Sequence, residues 1–463
     1  MGRGVVAWAA AAGFAARLRG VEVTVIEDVA APPSLADLVG TATPSIVDFH
    51  HDLRIDERSL MRGVDSVFRL GTRFTGWNTG LPPYLHTYGE HGEVIAGASF
   101  HHHWLRLRAE AGGFEQYSPG SMLARAGRFV HPEDDGASPL AHFGYGLHLN
   151  PAQYAAWLRG YALHLGATAC QGPGVPQLDP ATGRVEALML PDGRRIVADL
   201  YVDTGGALAD AVDPRRTDWS HWLPASHLAL ARAPAPPDPL LAEEVEATPT
   251  GWRMRAPLRS ANVEVTVSTE AVAEPCHRFA QGCRAAPWRG NVVALGDAAL
   301  VLEPLEGTAL HIAHAQIDRI VDTLPGTNFA QVETADYNRQ TLEEATRLRD
   351  FLILHYVTAD RPEPLWRDLA ATEPPAALAD DLRRFRARGH LALHDGESFA
   401  PDSWLSVLIG QGVFPRRVDP VADELPRAAA LARLATIRQN IARAVAPLPT
   451  HREYLAHYLK AGA

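Results

Sequence analysis

The sequence predicts an α/β fold: a Rossmann-like, nucleotide-binding core with mixed sheets, carrying a helical layer over the last third of the chain. Three observations predict it. A glycine turn, an alanine-rich helix and a strand ending in acid follow one another over residues 2–28. Strand-like runs then alternate with turns as far as Leu295, and beyond His311 the pattern is almost wholly helical.

The opening turn, Gly2-Arg3-Gly4-Val5-Val6-Ala7, fits G-x-G-x-x-G/A with Ala7 in the third place. Glycines there let the backbone approach a pyrophosphate, and the helix N-terminus favours its negative charge. Glu27 closes the next strand, where an acid can accept from a ribose hydroxyl. The strand that normally precedes such glycines is missing, so either the start lies further upstream or that strand is lost. An alanine-rich helix with incidental glycines would read the same way. Met1 to Leu18 also shares features with a secretory signal peptide, but the strand-like run Val21 to Asp28 follows directly, which favours the nucleotide-binding layout.

The remaining elements follow in order. A loop rich in Pro, Ala and Ser covers Ala30 to Pro44, then a helix through about Met61 to Val67, then a strand from Phe68 to Trp77. Leu81 to Pro139 reads as irregular. A helix covers Pro151 to Leu165, opened by Asn150 as cap and Pro151 in its first position. Arg184 to Asp203 alternates like a hairpin around Pro191, Asp192 and Gly193, strands continue through Arg253 to Ser268, and Asn291 to Leu295 is a buried strand. Helices are expected over His311 to Leu324, Asp336 to Val357 and most of Pro375 to Lys460. This suggests a cofactor-binding core over residues 1–335, with substrate-pocket segments interleaved, and a helical part over 336–463 packed on it.

Composition narrows the function. Of 463 residues, 46% are apolar and 21% charged, as in ordinary soluble proteins. A net charge of -11 argues against nucleic-acid binding. No uncharged apolar run reaches the roughly 18 residues that a membrane span needs. Cys170, Cys276 and Cys283 have neither zinc-site nor CxxC spacing and read as free thiols, which predicts a cytoplasmic protein. His101, His102 and His103 are consecutive, so a regular element cannot aim all of them at one metal, and no metal site is expected. An imidazole-rich loop around an aromatic pocket is the expected form, with His86, Tyr88 and His148 as further lining residues of no assigned role. The only lysine is Lys460.

A second nucleotide signal lies far downstream. Gly296-Asp297-Ala298-Ala299 follows the strand Asn291 to Leu295. In hydroxylase-type FAD folds such an aspartate accepts the ribityl hydroxyls, although a helix cap after a core strand would look alike. Two signals this far apart favour FAD over NAD, since one continuous βαβ half would leave the second unexplained.

Directly after that site the chain reads LEPLEGTA, Leu302 to Ala309. This resembles the (E/N)PLESTG run of the flavin-dependent tryptophan halogenases. Other resemblances fall in the family's order along nearly the whole chain. GTATPS (Gly40 to Ser45) resembles the flavin strap without its glutamate, and FRLGTRFTGW (Phe68 to Trp77) resembles the stretch carrying the catalytic lysine. YVDTGG (Tyr201 to Gly206), GWRMRAPL (Gly251 to Leu258) and DFLILHY (Asp350 to Tyr356) also resemble family motifs, as do Leu53 to Arg62, SWLSVLIGQGVFP from Ser403 and the run around His451.

The resemblance implies a hydroxylase-type FAD fold and FAD-dependent halogenation of an electron-rich, tryptophan- or indole-like ring. Reduced FAD from a separate reductase, oxygen and chloride or bromide would yield hypohalous acid. It places Gly2, Gly4, Ala7, Glu27, Gly40, Thr41, Ala42, Gly296, Asp297 and Leu305 against the flavin. The amides of Thr308 and Ala309 would cradle halide, Glu306 would be catalytic, helping to position the hypohalous acid and the arenium proton, and Trp252 would line the substrate pocket. Gly307 replaces a serine, and Met254 and Ala256 replace a tryptophan and an isoleucine. The main departure is Arg69 at the catalytic lysine position. Guanidinium stays charged and is a poor nucleophile, so a covalent haloamine route is closed, while hydrogen bonding to hypohalous acid remains open. A structural ion pair is the competing role for Arg69. The alternatives are a flavin monooxygenase or oxidase of the same fold without halogenation, and a non-catalytic member of the family.

Overall fold

The computed structural model of the protein describes residues 1–324, 331–392, 394 and 396–460. It is mixed α/β, with several small sheets, one larger sheet and a helix-rich C-terminal region, as the sequence predicts. The chain forms two compact units, each assembled from three segments. The first takes Met1–Ser66, Leu147–Leu230 and Thr269–Thr346; the second takes Val67–Gly146, Ala231–Ser268 and Arg347–Ala463. Sequence reading places one division near residue 335, whereas the last passage between units falls at 346/347 and earlier ones precede it.

In the first unit, the helix Gly4–Arg17 buries Val5 through Phe14 on every side. Its alanines permit close packing against the helices Pro151–His164 and Thr308–Asp322, and at Gly13 a Cβ would sit 2.7 Å from Ile317 Cγ2. The strand Thr24–Glu27 pairs in parallel with Thr168–Gln171, and Tyr201–Asp203 pairs in parallel with Val292–Ala294. Met1 and Gly2 bridge these pairs. The Gly2 N–H donates to the Ile26 carbonyl and the Thr204 N–H donates to the Met1 carbonyl. The helix Pro151–His164 starts as its sequence dictates, with the Asn150 side chain accepting from the Gln153 N–H and Pro151 in the first turn.

In the second unit the strands Ala261–Ser268, Gly251–Pro257, Ala242–Thr248, Gly71–Thr75 and Tyr84–Thr87 lie side by side in that order. All pairs are antiparallel except Ala242–Thr248 with Gly71–Thr75, which is parallel and sets Thr72 opposite Glu243. Helices Phe100–Ala111, Pro119–Ala126, Pro364–Ala371, Ala376–Arg388, Pro401–Gly410, Arg427–Val445 and His451–Lys460, with the end of Gln331–Val357, add buried residues to its core.

Four local expectations change. The histidine run is not a loop: His101, His102 and His103 lie in the helix Phe100–Ala111, because Phe100, Trp104, Leu105 and Leu107 bury one face. Each ring is bonded to backbone: His101 Nε2 to the Gly389 carbonyl, His103 Nε2 to the Ile95 carbonyl, and His102 Nδ1 to the Asp419 N–H. Among the described residues no group of three or more His, Cys, Asp or Glu could hold a metal. The loop Ala30 to Pro44 contains a helical turn, Leu35–Leu38, nucleated by a reciprocal Ser34–Asp37 capping box. The strand at Phe68 is two strands, Ser66–Arg69 and Gly71–Thr75, broken at Leu70 just before Gly71, where φ is 151°. The helix before it is Glu57–Gly63, capped by Asp56. No helix of the described residues is long and apolar enough to cross a membrane.

Buried imidazoles make both units sensitive to acid. In the first unit His50 is held neutral by burial, its pKa pushed down to about 4, and His314 is lowered further for the same reason. In the second, burial pushes His451 down to about 4 against the Pro239 carbonyl that it contacts. An unfolded histidine takes its proton near pH 6.5, so folding loses stability as pH falls from there toward 4. The loss reaches roughly 2 kcal/mol per site by pH 5. The thermal midpoint should change little between pH 7 and 8 and fall between 6.5 and 5, less than the three histidines alone would give because Asp297, its carboxyl raised to about 7, stabilises the fold as pH falls. A midpoint unchanged across that lower window contradicts the assignment.

Candidate active site

The glycine turn is built as the sequence requires. Gly2 and Gly4 have φ of 146° and 72°, values that side chains rarely adopt. A Cβ on Gly2 would meet Thr204 Oγ1 at 2.0 Å, and one on Gly4 would meet Asp37 Oδ1 at 1.9 Å. Ala7 is buried on the first helix. Glu27, at the end of its strand, takes the Gln171 amide at 2.8 Å and faces Arg159 at 3.5 Å. Asp297 lies in the turn Gly296–Ala298, and burial pushes its carboxyl up to about 7. It accepts from the Leu35 N–H at 2.7 Å. The stretch Gly40 to Ala42 runs along Leu147 to Leu149. Leu149 N–H donates to the Gly40 carbonyl, Ala42 N–H donates to the Leu147 carbonyl, and Thr41 bridges His148. At Gly40 any Cβ would strike the Leu149 carbonyl oxygen at 1.8 Å, so glycine is obligatory there. Thr41 is 2% exposed, and its hydroxyl has no hydrogen-bond partner among the described residues.

Residues 302–309 form a tight turn ahead of a helix. Leu305 and Glu306 are buried, at 0% and 1% exposure. Glu306 has φ 62° and ψ 11°, and Gly307 follows at φ 74° and ψ 28°, so two successive residues are left-handed. Among the described residues only Arg54 and Ala96 share a positive φ without being glycine. Holding a glutamate there costs on the order of 1 kcal/mol, and such strain concentrates at functional sites. The helix Thr308–Asp322 starts immediately afterwards, with Gly307 as N-cap and no acidic side chain in its first turn. The Thr308 hydroxyl turns back to the carbonyls of Glu303 and Leu305, leaving the amide end of the helix without a side-chain cap.

Arg69 lies in the second unit and is fully buried. Its Nε donates to Glu243 Oε2 at 2.6 Å, and its Nη2 bonds Glu243 Oε1, making a bidentate pair. Nη1 donates to the Tyr88 hydroxyl, and Thr72 Oγ1 donates to Glu243 Oε1 at 2.7 Å. The parallel register that sets Thr72 opposite Glu243 brings these groups together. Glu243 and Tyr88 were not legible as partners of Arg69. The signal lies in AEEVEAT (Ala242 to Thr248), where strand alternation turns Glu243 inward while Glu246 is exposed. Trp252 is wholly buried on the strand Gly251–Pro257, with Met254 and Ala256 on the same face. A groove of about 880 Å³ in this unit is lined by Arg73, Tyr84, Trp104, Phe114 and Phe414, and includes neither Arg69 nor Trp252.

Comparison with known proteins decides the family. The tryptophan halogenase family model matches residues 1–427. The chain belongs to the tryptophan halogenase family. Among solved structures, this family member is similar to BrvH, a flavin-dependent halogenase from Brevundimonas sp. BAL3. The identity is 30%, with 99% of this chain and 98% of that one covered and a TM-score of 0.92. It is equally similar in fold to a flavin-dependent halogenase from Xanthomonas campestris, at 32% identity, 99% and 97% coverage and a TM-score of 0.92. Among curated proteins, the tryptophan 6-halogenase SttH of Streptomyces toxytricini is 24% identical over 479 residues, covering 90% of each chain. As a tryptophan halogenase family member, the chain is an enzyme of the flavin-dependent, oxidoreductase type.

Proposed function

We propose that this protein is an FAD-dependent halogenase of an electron-rich, indole-like aromatic, using reduced FAD delivered by a separate reductase, oxygen, and chloride or bromide. The observation that carries the reading is Glu306: a buried carboxylate held in a left-handed turn at the uncapped start of a 15-residue helix.

The residues fit FAD in kind. A pyrophosphate suits the N-terminus of the helix Gly4–Arg17 behind Gly2 and Gly4, and Glu27 and Asp297 supply acceptors for ribose and ribityl hydroxyls. Thr41, with Gly40, Ala42 and Leu305, would line the same cofactor, and its buried, unpartnered hydroxyl suits a ligand polar group. Bound there, reduced flavin would supply the oxygen-activating chemistry that oxidises halide. The chain's own contribution is then electrostatic. The amides of Thr308 and Ala309, at the positive end of their helix, would hold halide. Glu306 would accept the hydrogen bond of hypohalous acid and take the proton released from the halogenated ring. Arg69 is committed to Glu243 and Tyr88 as a buried ion pair, and no covalent haloamine forms on it.

The test combines reduced flavin, bromide and a panel of indoles and phenols. Bromide-dependent product is expected. Oxygenated product formed without halide would favour plain flavin oxygenation, the reading that the locked Arg69 would otherwise permit. Arg69→Lys is expected to leave bromination within about twofold, because Glu243 would keep the new ammonium protonated and non-nucleophilic. A tenfold gain would instead show that only the amine was missing.

A further inference from the structure

We propose that the turn Leu35–Leu38 is a built-in occupant of the nucleotide cradle: the Asp37 carboxylate holds the place of a phosphate and must be displaced when the flavin's pyrophosphate binds. This rests on the flavin-binding reading above.

Two separate contacts carry it. Asp37 Oδ1 accepts from the Val5 N–H, in the first turn of the helix Gly4–Arg17, at 2.6 Å. The space left by the missing Cβ of Gly4 is filled by that same carboxylate. An anion at a helix N-terminus behind a glycine turn is the arrangement a dinucleotide phosphate would otherwise take. At its other end, the turn donates the Leu35 N–H to Asp297 Oδ2 at 2.7 Å. One short turn thus places an acceptor on the cradle's donor and a donor on the cradle's acceptor. Its polarity matches that of the expected ligand at both points.

The turn has its own scaffold. The Ser34 N–H and hydroxyl both donate to Asp37 Oδ2, at 3.0 and 2.9 Å, and the Asp37 N–H donates back to Ser34 Oγ at 3.3 Å. Leu35 and Ala36 are buried. Asp37 and Asp297 stand close enough to repel, which opposes the seated turn once Asp297 is ionised. Binding of the cofactor is therefore an exchange of one anion for another. The apparent affinity is reduced by the fraction of molecules in which the turn is seated.

The experiment is an FAD titration by flavin fluorescence, oxidised and anaerobically reduced, on wild type, Asp37→Asn and Ser34→Ala. Asp37→Asn removes the charge; Ser34→Ala loosens the turn without touching the carboxylate. Far-UV circular dichroism confirms that each variant is folded. Both are expected to bind FAD about 5- to 10-fold more tightly, the size of one helix-cap interaction. Amide exchange gives a readout independent of activity: FAD should speed exchange at Leu35 while Val5 stays protected. Equal or weaker binding by both variants, or an unchanged Leu35 amide, would overturn the proposal and leave the flavin reading standing. No FAD binding by any of the proteins would overturn both.

Discussion

Glu306→Gln is expected to lower halogenation by about 10²- to 10³-fold with FAD affinity unchanged, the usual scale for losing one positioned base. Glutamine keeps the size and the left-handed strain but can no longer take a proton. Glu306→Gly separates the two burdens this residue carries. Glycine adopts φ 62° freely, so removing the side chain relieves strain and should stabilise the first unit by about 1 kcal/mol while abolishing product. A more stable, inactive Glu306→Gly protein, read by thermal melting and bromide incorporation, is the signature of a residue retained for chemistry. An active one would remove Glu306 from the mechanism.

The second large effect is on stability. Arg69 and Glu243 are both fully buried, and breaking such a pair leaves one charge without compensation. Glu243→Leu should destabilise by ~3–5 kcal/mol, a fall in thermal midpoint on the order of 10 °C. The double change Arg69→Met with Glu243→Leu should recover most of that, because desolvation offsets much of a buried pair's attraction. If Glu243→Leu melts with the wild type, the buried pair contributes nothing to stability. A double variant as unstable as Glu243→Leu would mean that Tyr88 and Thr72, left without polar partners, dominate instead.

Local rules carried the reading far where they were strong. Asn150 and Pro151 marked a helix start to the residue, and the apolar run Asn291 to Leu295 marked a buried strand. Gly4 and Gly40 are glycines that the backbone demands. What stayed hidden depends on partners distant in sequence. Nothing near Arg69 announces Glu243, which lies 174 positions away and meets it only through a parallel register. The helix Phe100–Ala111 was obscured because His101 to His103 look like loop residues until Trp104 and Leu107 find a core. Ser34 and Asp37 spell a capping box, but proline and alanine around them masked a turn only four residues long.

The passages of the chain between its two units, at 66/67, 146/147, 230/231, 268/269 and 346/347, have a consequence for how the protein comes into being. Tyr201–Asp203 cannot pair until Val292–Ala294 exists, and the helix Thr308–Asp322 that covers Gly4–Arg17 is made later still. At the usual ribosomal pace of about 5–20 residues per second, the alanine-rich first helix waits some tens of seconds for this second partner after Pro151–His164. No clean cut of the gene yields either unit alone. During synthesis the apolar helix Gly4–Arg17 meets Pro151–His164 first and stays partly uncovered until Thr308–Asp322 is made, so production in a foreign host should respond to chaperone supply.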